Sequence, residues 1–160
     1  MQQKWLIIPV ALVAAAVGVY FYHLNQYDFT TLDGKGYKHS DLNDQYVFVN
    51  YFAEWCAPCL KEVPELVKLE KRKPDNVSLF AISYDNISDE KLMELKVKYN
   101  MDFPLINRIE TPFPFERPQF LPATFVLNPD GTLAGQLFGE QTAESLLNVI
   151  SDIEQKKSTN

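Results

Sequence analysis

A chain of 160 residues suffices for one ordinary domain and a short appendage. Apolar residues make up 46% and charged residues 22%, the balance of a folded globular chain and not of a disordered one. With 15 Lys and Arg against 21 Asp and Glu, the net charge of −6 excludes a general nucleic-acid binder, which needs cations to neutralise phosphates. The 2 cysteines are too few for a disulfide scaffold, and with only His23 and His39 beside them they fit no structural zinc site. No internal repeat of solenoid length is present. What remains is a single mixed domain in which the cysteines can do chemistry.

The first element is an uncharged run over residues 5–22, WLIIPVALVAAAVGVYFY. At about 1.5 Å per residue, a helix of that length spans roughly 27 Å, just short of a bilayer core. Trp5, Tyr20 and Tyr22 stand at its ends, where aromatic side chains favour the membrane interface. Lys4 precedes the run and Asp28 comes after it, so positive-inside bias keeps the N-terminus in the cytoplasm and exports the chain beyond Tyr22. Three readings compete: an uncleaved anchor, a signal peptide cut near Ala16-Val17-Gly18, and a buried soluble helix. The continuation of the run through Tyr22 favours the anchor. The expected organisation is thus an anchor and linker over 1–27 and a domain over 28–160. Anchor and signal peptide alike place that domain in a compartment where disulfides persist.

Further along, residues 28–32 read as a short strand and Asp33-Gly34 as a turn. Residues 46–52, YVFVNYF, are β-branched and aromatic with too few polar interruptions for a surface strand, and read as a buried central one. Leu60, Val63, Leu66, Val67 and Leu69 then recur at helical spacing, and Lys71-Arg72-Lys73 suit the helix C-terminus. Residues 77–83 form a second buried strand. Ser88 caps a helix running to about Tyr99, with Leu92, Leu95 and Val97 turned inward. Residues 103–121 fit neither period. They carry Pro104, Pro112, Pro114 and Pro118 among Phe103, Phe113, Phe115 and Phe120, and read as a rigid apolar loop that either plugs the core or docks a partner. Residues 123–127 are a third strand, Asn128-Pro129-Asp130-Gly131 a turn, 132–137 the hairpin partner, and 142–153 a final amphipathic helix. This order predicts an α/β fold with a mixed central sheet and helices on both faces.

The cysteines stand as Cys56-Ala57-Pro58-Cys59, between the first central strand and its helix. A bare CxxC is also half of a zinc site or a coincidence, but the context sharpens it. At a helix N-terminus the first N–H groups lack partners and the dipole favours negative charge, so a thiolate on Cys56 is stabilised in its reactive form. Cys59 lies one turn along the same face, within reach of Cys56 but deeper. One cysteine attacks and the other resolves. Pro58 suits the first turn, where its missing N–H costs nothing.

Trp55-Cys56-Ala57-Pro58-Cys59, preceded by Asn50-Tyr51-Phe52-Ala53-Glu54, resembles the active site of the thioredoxin superfamily. Pro64 sits where that family has its helix-kinking proline, and Leu121-Pro122-Ala123-Thr124-Phe125 resembles the stretch holding its cis-proline. The long separation of the cysteines from Pro122, and Phe29-Thr30-Thr31-Leu32-Asp33-Gly34-Lys35 near the start, resemble the membrane-anchored TlpA, ResA and CcmG-like thiol-disulfide oxidoreductases. The resemblance covers roughly residues 28–153. It implies a thioredoxin-like fold behind an N-terminal transmembrane helix, with Trp55, Leu121 and Pro122 at the substrate. It also implies a reaction that needs no cofactor beyond a redox-active Cys56–Cys59 disulfide.

The departures from the family also inform. Thioredoxins proper have a buried, proton-moving aspartate at the position of Asn50, which cannot titrate. The ResA-like branch uses a glutamate shortly after the second cysteine, and Glu62 sits there, on the face that carries Cys59. The resemblance assigns it the resolving proton, against the alternative of an ordinary solvated glutamate. The loop before Pro122 reads Gln119-Phe120-Leu121 where the family has a glycine, beside the bound substrate.

Oxidising relatives similar to DsbA place a histidine between the cysteines. Ala57 offers no such charge, and a less stabilised thiolate makes a less oxidising couple. The expectation is an exported reductase of protein disulfides on a bacterial inner membrane, single-pass, its domain in the periplasm or on the outer face. Its relatives draw electrons from DsbD- or CcdA-like membrane proteins, and some act in cytochrome c maturation. The alternatives are a disulfide oxidant of the same fold, a Sco-like copper chaperone binding Cu(I) through the thiolates, a structural disulfide without turnover, and a peroxidase, which needs a different cysteine setting.

Overall fold

The computed structural model describes residue 9, residues 11–18 and residues 26–158. Residues 11–18 are helical and exposed. Among the described residues no helix is long and apolar enough to cross a membrane. The rest of the expected membrane segment over 5–22 lies outside the described residues.

Seven strands form one mixed sheet: β1 (Phe29–Thr31), β2 (Gly36–Tyr37), β3 (Tyr46–Phe52), β4 (Val77–Ser83), β5 (Leu105–Ile109), β6 (Ala123–Leu127) and β7 (Leu133–Phe138), in the order β2-β1-β5-β4-β3-β6-β7. The central run β3, β4, β5 is parallel, and β6 joins β3 antiparallel. Three helices keep to the expected plan: α1 (Ala57–Arg72), α2 (Asp89–Lys98) and α3 (Ala143–Ser158).

Alternation along β3 sorts its side chains onto two cores. Tyr46, Phe48 and Phe52 join Val63, Leu66 and Leu69 of α1, Leu92 and Leu95 of α2, and Leu146 and Ile150 of α3. Val47, Val49 and Tyr51 join Phe29, Phe80, Phe113 and Phe125. The expectation of helices on both faces is thereby corrected, because this second core draws no buried residue from the three helices. Part of the 103–121 segment covers it instead. Phe115 stacks on Phe125 with ring centroids 3.9 Å apart, and Phe113 stacks on Phe115 at 5.3 Å. Burying a phenylalanine contributes on the order of 2 kcal/mol, enough to hold a segment whose prolines forbid a regular ladder. His39 adds a tie, its Nε2 lying 3.1 Å from the Thr111 carbonyl and its ring edge-on to Phe113.

Two further expectations need correction. The reading of 103–121 as irregular throughout misses β5, which pairs with β4 on one side and β1 on the other. Asn107 and Arg108 hide its period, yet Thr30 donates to the Asn107 side chain, which donates in turn to Asp89. Val97, expected to face inward, is 70% exposed. It stands two positions after buried Leu95, on the far side of a helix with 3.6 residues per turn.

Candidate active site

Cys56 is the N-cap of α1, placed directly after the buried strand β3 and its closing turn. Its Sγ accepts the backbone N–H of Cys59 at 3.2 Å, so one of the orphan donors of the helix already points at the sulfur. Pro58 occupies the first turn and Pro64 lies inside the helix. The two cysteines are joined in a disulfide with Cα atoms 5.3 Å apart. Cys56 is 5% exposed and Cys59 1%, so both are more enclosed than expected for an open CxxC, while the order of depth is as expected. Only the edge of Cys56 is open to a partner.

Glu62 departs from an ordinary helix glutamate. It is 2% exposed, among the deepest side chains of α1. Asn50 and Thr124 face each other directly across the β3/β6 ladder, on the face turned to the helices. The Asn50 Nδ2 donates to Glu62 Oε2 at 3.2 Å and to Thr124 Oγ1 at 2.9 Å. The Gln141 backbone N–H, just before α3, donates to Glu62 Oε1 at 3.0 Å. Burial pushes the Glu62 carboxyl up to about 7, against these two hydrogen bonds, which favour its ionised form, and with a smaller push from the Glu140 charge. A carboxyl group that titrates near neutrality is suited to exchanging protons at physiological pH. It sits one helical turn beyond Cys59, on the same face.

The remaining expected residues lie in the turn before Cys56 and in the loop before β6, where Leu121 packs against the core that holds both cysteines. The Leu121–Pro122 peptide bond is cis, and the Pro122 carbonyl accepts the Gly139 N–H at 2.9 Å, fastening the loop to β7. Leu121 is half-buried and Phe120, before it, is 70% exposed. Trp55 is 66% exposed, yet it is held in place: its indole N–H donates to Asp85 Oδ2 at 2.7 Å and its ring stands edge-on to Tyr84 at 6.0 Å.

Sequence reasoning missed Thr124, Gln141, Tyr84 and Asp85. Period-2 alternation on β6 would have placed Thr124 beside Val126 on the helix face. Gln141 acts through its backbone, which no side-chain pattern reveals. Tyr84 and Asp85 reach Trp55 only because β3 and β4 run parallel and end together.

Residues 23–136 match the model of the AhpC/TSA family. The chain is 33% identical over 119 residues to the thiol-disulfide oxidoreductase ResA of Bacillus thuringiensis (strain Al Hakam), a match covering 73% of this chain and 68% of the relative. It is 29% identical over 122 residues to ResA of Bacillus subtilis (strain 168), covering 72% and 64%. Among solved structures it is similar to a DsbF homologue from Corynebacterium diphtheriae, with a TM-score of 0.61 and 25% identity over 76% of this chain and 80% of that one. The StoA structure from Bacillus subtilis, with a TM-score of 0.58 and 22% identity over 75% and 92%, shares the fold. The buried cysteine pair at a helix start, on a thioredoxin-like mixed sheet, and these relatives agree: the chain belongs to the AhpC/TSA family of thioredoxin-like proteins and is a thiol-disulfide oxidoreductase of the ResA type with Cys56 and Cys59 as its redox pair.

Proposed function

We propose that this protein is an exported, membrane-tethered reductase of protein disulfides, with residues 28–160 as its catalytic domain and Glu62 as the proton carrier of the resolving step. The observation that carries the exchange mechanism in this reading is the buried Glu62 carboxyl, held between Asn50 and Gln141 one turn from Cys59. In the reduced enzyme the Cys56 thiolate attacks a partner disulfide. The partner's S–S bond breaks, a Cys56–partner disulfide forms, and the first partner thiolate leaves and takes a proton. Glu62 then accepts the proton of Cys59. The Cys59 thiolate attacks Cys56 Sγ, the second partner thiolate departs, and the Cys56–Cys59 disulfide is left behind. Trp55, Leu121 and Pro122 line the approach of the partner.

Two electrons leave the enzyme in each turnover, so a donor must return them. In an exported compartment this calls for a membrane protein of the DsbD or CcdA kind. Cytochrome c maturation is one setting that fits, since haem attachment needs reduced cysteines. The uncharged run over 5–22 supports an inner-membrane anchor, single-pass, with the domain on the periplasmic or outer face.

The direction of electron flow is tested by the reduction potential of the purified protein. With Ala57 leaving the thiolate to the helix terminus alone, the value is expected near the roughly −270 mV of thioredoxin and not the roughly −120 mV of DsbA. A value above about −150 mV would reverse the assignment to that of an oxidant. The tether is tested by fractionation of the producing cell. The chain should pellet with membranes at its full mass, and recovery as a soluble form starting near Val19 would instead make the segment a cleaved leader.

A further inference from the structure

Arg117 lies in the proline-rich segment and has no part in the exchange chemistry. Its guanidinium carbon sits 3.6 Å from the centroid of the Tyr84 ring, and its Nη2 donates to the Tyr84 carbonyl at 2.6 Å. These two contacts fix the group while leaving most of its five N–H donors to other partners. Tyr84 in turn stands edge-on to Trp55, the residue before Cys56. The contacts Trp55–Tyr84–Arg117 thus form a continuous run that begins at the residue before Cys56. The two links place the guanidinium within about 10 Å of the Trp55 ring.

Along that line the surface opens into a cleft of about 310 Å³ at the carboxyl ends of β4 and β5, lined by Tyr51, Tyr84, Asp85, Asn107, Arg108 and Arg117 among others. Clefts at the carboxyl ends of parallel strands are the usual ligand positions of open α/β sheets. The charges on its walls are unequal in availability. Asp85 is engaged by the Trp55 indole, and Asp89 close by is engaged by Asn107. Arg108 is 70% exposed and its Glu110 partner is distant, at 3.9 Å. Among the described residues Arg117 forms no ion pair. The two arginines of the lining outnumber its one acid, Asp85, whose charge the neutral indole leaves in place.

We infer that the cleft lined by Tyr84 and Asp85, the two residues that hold Trp55, is a docking site for the segment flanking the partner's cysteine, and that Arg117 selects partners carrying an Asp or Glu near that cysteine. The inference rests on the proposed exchange reaction and adds its specificity. A fixed guanidinium meets a carboxylate with two parallel hydrogen bonds and loses little freedom in doing so. The lining mixes isoleucine and leucine side chains with polar groups, and the second amide N–H of Asn107, beyond the one given to Asp89, can meet the partner's backbone.

The test uses the full chain with Cys59→Ser, which limits the reaction to one attack. The probes are three synthetic peptides, each with one cysteine activated as a mixed disulfide with thionitrobenzoate, and with Glu, Gln or Lys three residues away. Attack by the Cys56 thiolate on the peptide sulfur breaks that bond, forms the Cys56–peptide disulfide and releases a coloured thiolate. The expected order is Glu, then Gln, then Lys, with the acidic peptide roughly fivefold faster than the neutral one at low salt and the gap closing as salt is added. In an added Arg117→Met background, which keeps the stem over Tyr84, the order should vanish. In Arg117→Lys it should persist at reduced size. Equal rates for the three peptides, or the same order in Arg117→Met, would overturn the inference while leaving the exchange reading intact. No release from any peptide would overturn both.

Discussion

Replacing Cys59 with alanine should convert this enzyme into a trap that holds its partner as a stable mixed disulfide. The Cys56 sulfur sits at the N-terminus of α1 and accepts the Cys59 N–H, so its thiolate is stabilised by backbone that the substitution leaves in place. Attack on a partner therefore proceeds. Release needs a second thiolate, and among the described residues the only other cysteine is Cys59, at 1% exposure. Cys56→Ala should instead lose attack altogether, with exchange falling by at least roughly a thousandfold, because the nucleophile itself is gone. Non-reducing electrophoresis with mass spectrometry of the captured species checks both. Equal capture by the Cys56→Ala chain would mean that Cys59 is the attacking residue, against the order of depth that the fold imposes.

Glu62→Gln should slow resolution by about a hundredfold, the lower end of the range that a positioned proton carrier contributes. Attack by Cys56 should change far less. In the parent, the resolving rate should rise with pH through about 7 as the carboxyl group ionises, and this inflection should be absent from the variant. Stability supplies a second, independent readout. Burial raises the folded-state carboxyl above its usual range, so the native state holds the proton more tightly than the unfolded chain does. The parent is therefore penalised as pH rises from about 4.5 to about 7, and the penalty is complete above that. Glutamine does not ionise. The variant should gain on the parent by up to about 3 kcal/mol between acid and mildly alkaline solution, with the two converging at low pH. Superimposable rate profiles combined with this stability gain would reduce Glu62 to a buried cap for the segment before α3.

The cysteines, their helix and the strands around them were legible in the chain because each rests on local physics. A β-branched, aromatic run flanked by turns has few alternatives to a buried strand. A CxxC at the start of an amphipathic period meets the unpaired N–H groups of a helix wherever that helix is placed. The cis bond before Pro122 was anticipated in another way, by the resemblance of Leu121-Pro122 to the family's cis-proline stretch. The errors fall where a tertiary partner overrides the local pattern. Leu105 and Ile106 are buried on opposite faces of the sheet, while Asn107 and Arg108 make the same strand look like a loop. The missing helix cover on the second core arises from Phe113 and Phe115, whose stacking no periodicity encodes.

By itself, then, the sequence determined the kind of reaction, since a thiol pair at a helix N-terminus depends only on neighbours along the chain. Its resemblance to the ResA-like branch, together with spacing, also nominated Glu62. The environment of that carboxyl group was decided by the tertiary structure alone. Its desolvation comes from packing against the sheet, and its two hydrogen bonds come from Asn50 and Gln141, 12 and 79 positions away along the chain. The same holds for the surface that meets a partner. Trp55, Tyr84 and Arg117 are separated by about thirty residues at each step and touch only because the parallel strands end side by side and the proline-rich segment folds back over them. A contact between residues distant in sequence depends on the path of the whole backbone, and that path is a property of the assembled sheet.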